Sequence, residues 1–210
     1  MQAALASFAT VYPWAERMLR VGRALAASEV GRFDDARREF ESLAAEDFRT
    51  LPRDEHWMFT LAQLATVCAD LHDAGRAEGL LDLLRPFADR NAVHDLLRVH
   101  GGSVAHYLAR LAAVMEQWVD ATAWFEQALA QNARMRALPA LTRTRHEYAR
   151  MLVRRGQRRD LPRARTLLAQ ALADADALGF HRLRGEGEAL LAELDRPPGQ
   201  RRPRSRGAAH

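Results

Sequence analysis

The sequence predicts an all-α protein in which helices pair antiparallel and the pairs stack as a right-handed solenoid. Three observations predict it. Glycine and proline fall almost wholly between long stretches whose apolar residues recur at helical period. No stretch shows the alternation of Val, Thr and aromatic residues that strands prefer. A small residue followed at +4 and +7 by large or apolar ones recurs at Ala36, Ala77, Ala121 and Ala164, 41, 44 and 43 residues apart.

Taken in order, helices are predicted over 2–11, 14–29, 33–46, 54–71, 74–88, 103–115, 118–131, 138–155, 161–177 and 181–194. On the repeat template Pro13 ends a unit, with Phe8 and Leu5 at its large positions and Met1 at its small one. Residues 1–13 therefore read as the second half of an incomplete repeat. Two explanations fit: the chain is the C-terminal piece of a longer protein, or the helix Gln2 to Val11 packs on another chain or along its own neighbour. In the next pair a turn at Gly31 precedes Ala36, Phe40 and Leu43. Arg23 falls where a large apolar residue is expected, so the helix before that turn reads as shifted in register around Leu19 and Leu25.

The second pair carries Leu64, Ala65 and Cys68, then Ala77, Leu81 and Leu84; the third carries Leu108, Ala109 and Ala112, then Ala121, Phe125 and Ala128. Tyr148, Ala149 and Leu152 precede Ala164, Leu168 and Ala171 in the fourth, with three residues inserted between Arg158 and Arg163. Positions i, i+4 and i+7 share one helical face, so each helix presents one packing stripe, and the small residue lets the partner helix approach. Between the second and third pairs, Asn91 to Gly102 reads as a linker with a short helix ended by Gly101-Gly102. The repeat domain spans 14–195. Residues 196–210 are Arg- and Pro-rich, bury too little apolar surface to order, and are predicted to be disordered. An ordinary helical bundle is the competing architecture.

Composition narrows the function classes. No run nears the roughly 18 apolar residues of a membrane span, and the N-terminus lacks a basic leader, which points to the cytoplasm. Cys68 is the only cysteine, so an internal disulfide or multi-cysteine metal site is excluded. All 31 basic residues are Arg, and neither Lys nor Ile occurs, the imprint of GC-rich codon usage. Without Lys, neither a Walker A loop nor a Schiff-base centre can operate from this chain alone. The charge is uneven: residues 1–195 hold 26 Arg against 27 acids, and Leu141 to Arg165 holds nine Arg against Glu147 and Asp160.

The chemistry-bearing residues read mostly as structure. His94, His100 and His106 are six apart, on opposite helical faces, and His146-Glu147 lacks the second His of a zinc motif. No cofactor or metal site is assigned, nor a catalytic residue. Ser103 reads as a helix N-cap, with anion binding at that helix end as the alternative. Asp34-Asp35, Asp54 and Asp160 read as first-turn or capping carboxylates. Trp57, Trp118, Trp124 and Tyr107 anchor either the core or a partner. The segment Arg143 to Arg165 offers charge to nucleic acid or an acidic protein, or simply solvates outer helix faces.

The large, small, turn-glycine, Ala, aromatic, Ala order of these pairs resembles the tetratricopeptide repeat. More specifically, Val30-Gly-Arg-Phe-Asp-Asp-Ala-Arg, Asp47-Phe-Arg-Thr-Leu-Pro-Arg-Asp-Glu-His-Trp57, Gly102-Ser-Val-Ala-His-Tyr-Leu108, Asn132-Ala-Arg-Met-Arg and His146-Glu-Tyr-Ala-Arg-Met-Leu152 resemble the C-terminal helical region of actinobacterial STAND-type ATPase signalling proteins, attached to LuxR-type regulators or nucleotide cyclases. The resemblance implies a non-catalytic interaction scaffold, a sensor or regulatory arm, or a truncated remnant of such a protein. Its partner would be a protein or peptide in a concave groove, or an upstream ATPase or output domain, with no membrane association. Leu64, Tyr107, Arg110, Trp124 and Arg145 are the candidate partner-binding residues. A DNA-associated regulator using the basic segment and tail is the alternative, and a cryptic hydrolase would need a nucleophile and base in one pocket.

Overall fold

All twelve second-helix stripe positions are buried: Ala36, Phe40 and Leu43, then Ala77, Leu81 and Leu84, Ala121, Phe125 and Ala128, and Ala164, Leu168 and Ala171. They lie on the second helices of successive antiparallel pairs in a computed structural model that describes residues 13–94 and 99–196. The predicted helix 2–11, the half-repeat 1–13 up to Tyr12 and the tail beyond Arg196 lie outside the described residues. The first pair is α1 (Pro13–Glu29) and α2 (Phe33–Leu43); the second is α3 (Trp57–Asp70) and α4 (Ala74–Leu84). The third is α5 (Val104–Val114) and α6 (Trp118–Arg134), followed by α7 (Leu138–Arg155), α8 (Leu161–Leu178) and α9 (His181–Asp195). The described chain is mostly helical.

The backbone repeats where the residue type does not. Five residues before Ala36, Ala77 and Ala121, the chain turns left-handed at Gly31, His72 and Glu116, and Gly156 does the same after α7. His72 and Glu116 accept a conformation that favours glycine because the tight return between paired helices requires it. Asp73 caps α4 by accepting a hydrogen bond from the Arg76 amide at 3.1 Å.

Contacts divide the chain into two units, residues 1–141 and 142–210. In the first unit α1 packs on α2 and α3, α3 on α4 and α5, and α4 also on α5. The first helices of successive pairs thus lie against one another, and α5 is buried along its whole length. Polar groups at these contacts are partnered: Asp70 accepts from Arg110 at 2.6 Å and from Ser28 at 3.1 Å. In α1 the buried positions among those described are Ala15, Val21, Ala24 and Ser28, while Leu19 and Leu25 are only half-buried. The register is therefore set by the smaller residues and not around Leu19 and Leu25.

The linker reading of Asn91 to Gly102 is corrected. Asn91–His94 (β1) and Val99–Ser103 (β2) form an antiparallel ribbon, with Asn91 opposite Ser103, Ala92 opposite Gly102 and an irregularity between Ala92 and Val93. The two glycines make it possible. Gly102 adopts φ +90°, and a Cβ there would lie 2.7 Å from the Ala140 Cβ; one on Gly101 would meet the Tyr107 hydroxyl at 2.8 Å. Ser103 then ends β2 and caps α5 as predicted, accepting from the Ala105 amide at 3.1 Å. Its own amide donates to Asn132 at 3.0 Å and its hydroxyl to Gln131, which seals this helix end inside the protein.

Two carboxylates do not cap. Asp160 occupies the N-cap position of α8 without a capping bond and instead grips Arg155 through both oxygens at 2.7 and 2.8 Å. Asp54 accepts from the His56 amide at 3.0 Å and pairs with Arg17. In the second unit α8 packs on α9, and Arg145 and Thr142 of α7 both reach Asp174 of α8.

Gly102→Ala is expected to lower the unfolding free energy by about 3 kcal/mol, because it adds backbone strain to an overpacked contact. Gly22→Ala, in an exposed helical position with open space around it, is expected to raise it by about 0.5–1 kcal/mol. Urea unfolding of the full chain, followed by circular dichroism, reads both.

Candidate interaction surface

Three of the five residues predicted to face a partner are core residues. Leu64 is fully buried on α3, and Tyr107 and Arg110 are buried on α5. The Tyr107 hydroxyl donates to the Gly101 carbonyl at 2.7 Å, and Arg110 is held by Asp70. For Tyr107 the β-ribbon is the reason. It lies over the first helices on the side read as a groove, with Gly101 against Tyr107 and the ring of His94 stacked on His56 at 4.7 Å and edge-on to Phe59 at 5.1 Å. Trp124, on α6, is half-buried, as is Arg145, which pairs with Asp174 in the second unit. The structure does not bring the five together on one open surface.

An open groove of about 680 Å³ lies instead along the first helix pair. Arg20, Arg23, Ala27 and Val30 of α1 and its following turn form one wall, and Arg32, Asp35, Arg38 and Glu39 the other. The ion pairs within it are exposed. Arg20 pairs with Glu16 at 3.0 Å and donates to the Ser42 hydroxyl at 3.3 Å; Arg23 approaches Glu39 at 3.6 Å; Arg32 and Arg38 share the single carboxylate of Asp35. Bonding to Arg38 and Arg32 holds the Asp35 carboxyl below its ordinary pKa. Val30 and Phe33, at the turn, are large apolar residues left in solvent. Sequence reasoning did not assemble this groove, yet it registered the signal in Arg23, the residue that broke the apolar template.

The groups with chemical potential elsewhere are engaged structurally. Ser103 has its hydroxyl in the sealed Gln131 contact, and the anion-binding alternative at this helix end finds no opening to solvent. Cys68 is buried in α3, its thiol 3.2 Å from the Asp73 carbonyl, and burial pushes its pKa up to about 12. Among the described residues no three His, Cys, Asp or Glu side chains converge to hold a metal ion, and no helix is long and apolar enough to cross a membrane. Comparison with protein-family models, with curated proteins and with solved structures returns no match.

The Cys68 shift sets two expectations. A disulfide exchange reagent at pH 8 is expected to label the thiol only at the rate at which the chain opens, and fully in denaturant. The unfolded thiol ionises near pH 9 while the folded one holds its proton to about 12. The unfolded state therefore binds fewer protons in that window, and stability is expected to fall as pH rises through it, a fall that Cys68→Ala removes.

Proposed function

We propose that this protein is a non-catalytic scaffold of tetratricopeptide-like helix pairs that binds another protein and regulates a signalling ATPase or an output domain such as a transcriptional regulator. The observation that carries the reading is the recurrence of one structural unit. Each pair has a buried small-large stripe, and in the first three a left-handed return lies five residues before its small residue. A chain organised as repeats devotes its sequence to stacking, and what it offers a partner is surface. The residues singled out for chemistry, Ser103, Cys68 and the buried histidines, are taken up by capping and packing, in keeping with that reading.

Proximity labelling in the native host, with the full chain fused to the labelling enzyme, tests it. Enrichment of an ATPase or an output-domain protein over an inert helical control is the expected result. A labelled set identical to that of the control contradicts it.

A second reading, a DNA-associated regulator, draws support from the exposed Arg154, Arg158, Arg159 and Arg163 around the turn Arg158–Asp160. Those side chains sit on a corner braced by the buried Arg155–Asp160 pair. If they hold a phosphate backbone, duplex binding by the full chain weakens steeply with salt, and Arg158→Glu with Arg159→Glu, or deletion of 196–210, abolishes it. The scaffold reading expects no such dependence.

A further inference from the structure

We infer that the arginine-lined groove on the first helix pair is a docking site for an acidic helical segment of a partner protein. The repeat itself shows what this face is built to receive. Template equivalence places Arg20 where the second and third pairs have Leu61 and Ala105, Arg23 where they have Leu64 and Leu108, and Ala27 where they have Cys68 and Ala112. All six later residues are fully buried, in first helices that pack on the first helix of the preceding pair.

On α1 no described element covers the equivalent face. Arg17, Met18 and Ser28 face the second pair, through Asp54, Thr60 and Asp70. Arg23 stands five residues from both Met18 and Ser28, about 140° round the helix from each, and so points away from the second pair. Among the described elements none but α2 and α3 packs substantially on α1. Positions that are fully buried in the later pairs are thus solvent-exposed here at Arg20 and Arg23 among the described residues.

Charge then selects the occupant. The position filled by leucine in the covered pairs is arginine in the uncovered one, with the Arg23 side chain 64% exposed. The groove walls hold four guanidinium groups against Asp35 and Glu39, and Arg32 and Arg38, 71% and 77% exposed, depend on one carboxylate between them. Exposed pairs of this kind hold their partners weakly. An incoming carboxylate can therefore take over one arginine without leaving another buried charge behind, and its own burial strengthens the new pair. Arg20 and Arg23 are three residues apart on one face, about 4.5 Å along the axis, which matches carboxylates at i and i+3 or i+4 of a facing helix. Ala27 and the aliphatic stems of the arginines form the floor against which that helix packs.

The proposal deepens the scaffold reading and rests on it, and one selection separates their failures. A displayed library of helical segments is selected on the full chain and counter-selected on Arg20→Glu, Arg23→Glu. Arg182→Glu, at an exposed arginine in the second unit, serves as the charge control. The expected result is enrichment of segments with two or more Asp or Glu at i, i+3 or i, i+4 spacing. Those segments should bind the double variant at least tenfold more weakly and the control variant unchanged.

Enriched segments that are neutral or basic, or that bind the double variant equally well, overturn the groove, as does an empty selection. Dimerisation by sedimentation equilibrium that the double variant abolishes assigns the face to a second copy and also overturns it. So does groove-dependent binding of a 20-base-pair duplex. Specific proximity labelling that persists in the double variant sinks the groove alone; labelling no different from the control sinks the scaffold reading as well.

Discussion

Close approach of paired helices at a fully buried alanine is the constraint on which the rest of the structure depends. Helix axes come within about 8 Å only where nothing larger than a methyl group stands between the backbones. Ala36, Ala77, Ala121 and Ala164 are each fully buried on a second helix, where a methyl group permits such an approach. The large residues at +4 and +7 then fill the space on either side, and the chain must return within a few residues. That return imposes left-handed backbone at Gly31, His72, Glu116 and Gly156. The strain at His72 and Glu116 is offset by burial that a looser return would forfeit.

The same constraint determines where polar residues are held inside the first unit. Once α3 and α5 are enclosed by their neighbours and by the β-ribbon, Arg110 is held by Asp70. Ser103 likewise depends on Gln131 and Asn132. In the structure Arg110 and Asp70 link one pair to the next and Ser103 ties α5 to α6, while charged groups are left exposed at the groove on the first pair and on the corner near Arg158.

What was legible in the sequence was what depends on local period. The stripes read from i, i+4 and i+7 are buried in every pair, because a helix face is settled by residues within two turns of one another. The ribbon was not legible. Its described strands are short, and a pair of glycines that ends a helix in one context closes a bulged strand in another. That miss propagated to Tyr107, whose hydroxyl bonds the ribbon at Gly101, while Leu64 and Arg110 are buried in the first helices. Asp160 was misread for a related reason, since Arg155 competes with the helix amides for its carboxylate and wins with two short bonds. The groove left a trace in the sequence only as an irregularity, Arg23 at an apolar position, whose meaning depends on which faces are covered.

The most direct measurement is the unfolding free energy of Ala77→Leu and Ala121→Leu, set against Ala26→Leu on the exposed face of α1. If the alanine notches hold the pairs together, each of the first two loses roughly 2 kcal/mol or more to overpacking while the third stays within about 0.5 kcal/mol. Leucine tolerated at both notches with unchanged stability would contradict the account.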